Sequence, residues 1–186
     1  ILAVFLPAAI RHANHGAARP FTARRAAAWW LRLALGLAAF FILLVGAGML
    51  ILEATAVTPD GRITPACLGL WNAAQEAALA RVVGALRQHS AMPLAIQLSH
   101  AGRKASSEAP WRGGQLIPAD QPGGWTPRAP SALPHGDGEA PPAALDAAGL
   151  AHIRDSFADA ARRAHRAGLQ AIELHAAHGY LLHQFL

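Results

Sequence analysis

A chain of 186 residues is about one domain by length, and this one carries a formal net charge of +5 and a single cysteine. The net charge is confined to the start: Arg11, Arg19, Arg24, Arg25 and Arg32 precede the first carboxylate, Glu53, and from there 11 basic residues balance 11 acidic ones. A neutral body excludes a nucleic-acid partner, which needs a basic stripe on the folded part, and Cys67 alone excludes an internal disulfide framework, as suits a reducing cytoplasm.

In chain order, residues 1–45 form an atypical Arg/Ala/Leu-rich segment without an acid. From Trp29 to Leu52 the sequence is apolar apart from Arg32, and about 20 apolar residues suffice to cross a bilayer. This predicts a membrane helix near 33–52, with the preceding arginines holding the N-terminus inside. The same composition also arises from a wrong reading frame of GC-rich DNA. The competing reading is therefore that residues 1–45 are foreign to the domain. Met49–Val57 reads as a strand that runs into turn chemistry at Thr58–Arg62.

Gln75–His89 has helical spacing, with Ala78, Leu79, Val82, Val83 and Leu86 on one face. Pro93–Leu98 is a second, buried strand. Residues 103–142 are rich in Pro, Gly and Trp and exceed the usual length of a connection. Trp111 and Trp125 in this loop read either as its own small cluster or as a cover over one side of an active site. A helix opens at Leu145 or Asp146, the latter as N-cap, and stops at Gly168. Leu169–Leu174 is a third buried strand. The order βαβαβ belongs to the α/β class, with a parallel sheet or barrel.

Two motifs follow strands. Glu173-Leu174-His175-Ala176-Ala177-His178-Gly179-Tyr180 places two imidazoles and a phenol at a strand end, where an α/β barrel builds its active site. Imidazoles can bind an anionic or carbonyl oxygen and a phenol can deliver a proton, which suits reduction of a polarised double bond. Gln97-Leu98-Ser99-His100-Ala101-Gly102-Arg103-Lys104 sets a carboxamide, both donor and acceptor, near the end of the second strand. Taken with His183, the two histidines could also be read as a zinc site, but they lack the i, i+4 spacing of a zincin and no carboxylate or Cys follows closely, so no metal is expected.

With Glu53–Val57, Gly61–Thr64, Leu68–Trp71, Ala129–Ala132 and the block His175–Leu186, these motifs resemble the Old Yellow Enzymes, in the bacterial branch of thermophilic-like ene-reductases and xenobiotic reductases. The resemblance covers about 46–186. It implies the N-terminal half of a flavin-binding TIM barrel, with about three of its eight strands and truncation at both ends. It implies FMN as cofactor, NADPH or NADH as reductant, and a small-molecule activated alkene such as an enone as substrate. By the same resemblance Ala54 and Gln97 lie against the flavin, His175 and His178 grip the substrate oxygen with His175 also near the flavin, and Tyr180 is the proton donor. Lys104 resembles a basic residue near the mouth of the site. The alternative is a non-catalytic fragment tethered to a membrane through 33–52. Oligomeric state is not legible in the sequence.

Overall fold

The architecture comes from a computed structural model that describes residues 48–186. The 1–45 segment, and most of the apolar run proposed as a membrane helix, lie outside the described residues. Leu50–Leu52, the end of that run, belong to a strand. No helix among the described residues is long and apolar enough to cross a membrane.

Three strands make one sheet: β1 (Leu50–Ala56), β2 (Leu94–Ser99) and β5 (Ala171–Leu174), in the order β1-β2-β5 and all parallel. Helix α1 (Ala73–Arg87) crosses from β1 to β2. The second crossover contains the long loop, the two-residue strands β3 (Arg128–Ala129) and β4 (Ala143–Ala144), which pair with each other, and helix α2 (Ala147–Arg166). Parallel strands need crossovers of this kind, and helices then cover the sheet.

The core lies between the sheet and the two helices. Ile96 and Leu98 of β2 meet Val83 of α1 and Ala160 and Ala164 of α2. Burying a side chain such as Ile96 or Leu98 contributes about 2 kcal/mol. Alanines on α2 allow the helix to approach the sheet closely. A charged seam reinforces the helix pair: Glu76 of α1 accepts from Arg166 at 2.7 Å and from Arg163 at 3.0 Å. Hydrogen bonding to Arg166, then to Arg163, holds the Glu76 carboxyl down at about 2. Gln170 ties the strand starts together, its Oε1 accepting from Leu94 N at 2.9 Å and also from the Arg87 guanidinium.

Three local features differ from expectation. Helix α1 begins two residues before Gln75, because Asn72 and Gln75 form a reciprocal capping box. Val82 is 53% exposed: with Leu79 and Ala78 it lines an open, largely apolar groove of about 400 Å³ beside Leu52 and Cys67. Strand β5, expected to be buried, is an edge strand among the described residues, with Ile172 41% and Leu174 57% exposed. Both share a sheet face with their register partners Ile96 and Leu98, but at the edge of the sheet less of that face is covered.

Candidate active site

The C-terminal ends of β1, β2 and β5 point the same way, as parallel pairing requires, so the residues that follow each strand gather at one end of the sheet. The β1–β2 register slips between Leu52 and Thr55. This bulge releases the Ala54 amide from the ladder, and it donates instead to Gln97 Oε1 at 3.2 Å. Gln97 is the one half-buried residue of β2, and it lies in register with Glu173 of β5. Two residues beyond Glu173, the backbone N–H of His175 donates to Leu98 O at 2.9 Å, which extends the pairing and brings His175 to the same end as Gln97.

The Glu173–Tyr180 motif folds into a tight knot. His175 is buried, 7% exposed. Its Nε2 lies 3.2 Å from His178 Nδ1, and its ring meets the Tyr180 ring edge-on with centroids 4.8 Å apart. Its Nδ1 accepts from Ala177 N at 3.3 Å. That contact assigns the proton of neutral His175 to Nε2, which donates to His178 Nδ1. The proton of neutral His178 then sits on Nε2 and faces away from the pair.

Burial, and next the neighbouring His178, push His175 below the ordinary imidazole value. Burial, and next Cys67, push the Tyr180 phenol above its ordinary value. At neutral pH the cluster therefore holds an uncharged His175 and a protonated phenol.

Two segments brace this knot. His178 has a φ of 57°, and Lys104 Nζ donates to its carbonyl at 2.8 Å. Gln184 joins the loops after β2 and β5: its Oε1 accepts from Arg103 N at 3.3 Å, and its Nε2 donates to Gly179 O at 2.6 Å. Gly102 has φ 62°, a conformation that favours glycine, and a Cβ there would displace the Gln184 carboxamide, whose Nε2 would lie 2.3 Å away. His183 Nδ1 accepts from Gly179 N at 2.9 Å, a local bond rather than a shared ligand site. Among the described residues no three His, Cys, Asp or Glu side chains converge as for a metal ion.

A cavity of about 370 Å³ opens beside Tyr180, His178, Lys104, Ser107, Glu108 and Ile63. A larger one, about 820 Å³, lies between the long loop and Thr64–Ala66, and its lining includes neither histidine nor Tyr180. The loop is fastened to the β1–α1 connection by Trp125. Its indole Nε1 donates to Asp60 O at 2.9 Å, and the Arg62 guanidinium lies 4.8 Å from the Trp125 ring. Arg128 adds an ion pair to Asp60 at 2.8 Å. Trp111 instead is 85% exposed. Sequence reasoning did not single out Asp60, Arg62 or Gln184. Their roles depend on partners up to 81 residues away, and no local spacing signals them.

The NADH:flavin oxidoreductase / NADH oxidase family matches residues 40–186. An NADH:flavin oxidoreductase of Gibberella zeae is 46% identical over 144 residues, 76% of this chain and 35% of that protein. An NADPH dehydrogenase of Listeria monocytogenes is 45% identical over 141 residues, 76% of this chain and 37% of its own length. Among solved structures, morphinone reductase superimposes with a TM-score of 0.59 at 33% identity, over 74% of this chain and 38% of that one. The chain thus spans between about a third and two fifths of the length of the proteins it matches. FMN and a nicotinamide reductant are the cofactors of this family. Family match, identity and superposition agree that the chain belongs to the NADH:flavin oxidoreductases, the Old Yellow Enzyme family, and that its parallel sheet is part of their α/β barrel.

Proposed function

We propose that the protein carrying this chain is an FMN-dependent ene-reductase that uses NADPH or NADH to reduce the C=C bond of an alkene conjugated to a carbonyl. The observation that carries the reading is the convergence of His175, His178 and Tyr180 at the end of the sheet that also carries Gln97 and Ala54. A carboxamide and an imidazole at one sheet end fit the edge of a planar ring that presents both donors and acceptors. Gln97, His175 and the strand-end residue Ala54 would hold the flavin there. When bound, FMN supplies a hydride drawn from the nicotinamide.

The chain's own residues do the rest. His178 Nε2–H is free to donate to the substrate carbonyl oxygen. His175 Nε2–H, now committed to His178 at 3.2 Å, can turn to the same oxygen once that bond opens. Donors already in place at the oxygen where negative charge develops lower the barrier. Tyr180, whose phenol stays protonated at neutral pH because burial and Cys67 raise it, gives its proton to the α carbon while the β carbon takes the hydride. One C=C π bond is lost, two C–H bonds form, one NAD(P)H is oxidised, and one proton taken up from solvent restores the Tyr180 phenol.

The test uses the full-length protein with a cyclic enone and NADPH. Tyr180→Phe should slow enone reduction by about 10²–10⁴-fold and leave reduction of the flavin by NADPH unchanged. Undiminished enone turnover in that variant would remove Tyr180 from the proton step. A full-length protein that bound no flavin and consumed no enone would overturn the reading as a whole.

A further inference from the structure

The backbone at His178 is in a conformation that needs an external hold. Its φ of 57° is left-handed, and among the described residues only Ser106 shares that feature without being glycine. Such a conformation is disfavoured for a residue with a side chain and persists only where surrounding contacts over-determine it. The next residue, Gly179, is also left-handed, with φ 69°. The chain therefore makes two successive left-handed steps, and these steps turn the His178 ring back onto His175.

The hold comes from another strand's loop. Lys104 ends the short helical turn Gly102–Lys104 that follows β2, 74 residues away in sequence. Its ammonium donates to His178 O at 2.8 Å, and its Cε and Nζ lie 3.4 Å from where a Cβ on Gly179 would stand. The lysine stem thus lies across the His178–Gly179 peptide and fixes that carbonyl. With the carbonyl fixed, His178 Nδ1 stays 3.2 Å from His175 Nε2. Tyr180 N–H bonded to Ala177 O at 3.1 Å and Gly179 N–H bonded to His183 at 2.9 Å brace the same turn from within its own segment. Lys104 is the charged brace that reaches it from β2.

We propose that Lys104 is a positioning residue: it sets the rotation of the His178 imidazole, and so the geometry of the histidine pair, through the His178 carbonyl rather than by touching substrate. Its catalytic consequence rests on the ene-reductase reading; its structural consequence does not. The experiment uses the full-length protein with ¹⁵N-labelled histidine, in the wild type, Lys104→Met, which keeps the stem and removes the ammonium, and Lys104→Arg, which restores a cation. Imidazole ¹⁵N shifts report tautomer and hydrogen bonding for each ring.

In Lys104→Met the shifts of His175 and His178 should move from the single-tautomer pattern towards the averaged one. The enone KM should rise on the order of tenfold or more, as misplaced groups cost large factors, and Lys104→Arg should recover most of both. Histidine shifts in a folded Lys104→Met protein that match the wild type would overturn the proposal. If Lys104→Met fails to fold, Lys104→Leu, which also removes the ammonium, is judged by the same shifts. A wild type inert towards enones whose Lys104→Met shifts still move would sink the ene-reductase reading and leave the positioning role standing.

Discussion

His100, the residue after β2, is 1% exposed. In the structure it faces inward. Its Nδ1 accepts from Gly102 N at 3.1 Å, and its Nε2 is buried without a partner among the described residues. Burial pushes its pKa down from 6.5 to about 4, against the pull of the Asp60 carboxylate. The folded protein thus binds the His100 proton more weakly than the unfolded chain. The stability from neutral His100 is present above pH 6.5 and is lost as pH falls towards 4, by about 3 kcal/mol across that window. Urea unfolding of the full-length protein at successive pH values should show this slope. His100→Gln, which cannot titrate, should flatten it; an equal slope in that variant would assign the effect elsewhere.

Helix α2 shows how closely local chemistry fixes an element. Asp146 caps the first turn, its Oδ1 accepting from Gly149 N at 2.7 Å, and Gly168 follows the last turn with φ 93°. Both signals are visible in the sequence, and the expected helix agrees with the observed one to within a residue or two at each end. Gly168 also has a tertiary role, since a Cβ there would stand 3.3 Å from Val83 Cγ1 on α1. Gly168→Ala therefore combines left-handed strain with a tight contact and should cost about 1–3 kcal/mol. Asp146→Ala should cost about 1 kcal/mol through the lost cap alone. Thermal melts of the two variants should rank them in that order; an equal or smaller loss for Gly168→Ala would show that the α1 contact yields without cost. Strand β5 is the counter-case. Its apolar residues read as buried from composition, but burial depends on neighbours, and it lies at the sheet edge among the described residues.

Across the whole Met49–Leu186 unit, the long loop is the part whose placement composition left open between a self-contained cluster and a cover. The structure fastens it at several points: Arg103 and Lys104 to the turn after β5, Ser107 N–H to Ile63 O at 2.8 Å, and Trp125 and Arg128 to Asp60, with Arg62 against the Trp125 ring. Of its two tryptophans, one is a clamp and the other is exposed. An exposed ion pair such as Arg128–Asp60 contributes at most about 1 kcal/mol, so at the Asp60 contact Trp125 contributes more than the ion pair. Trp125→Ala should speed tryptic cleavage after Arg112, whereas Trp111→Ala should not; equal cleavage rates in the two variants would show that the loop is held elsewhere. Both variants should retain the core, since neither side chain belongs to it.

By itself the sequence determined the strand–helix alternation, the caps of α2, and the two motifs whose residues gather at one sheet end. These features are local: periodicity, capping chemistry and a polar turn after an apolar run each act within a few residues. The tertiary structure alone decided that a bulge turns the Ala54 amide to Gln97, that the proton of His175 points at His178, that Lys104 and Gln184 brace the turn after β5, and that Trp125 rather than Trp111 holds the loop. Apart from the His175–His178 contact, which is local, each of these depends on partners far apart in the chain. Only the parallel register, set by core packing, brings them together.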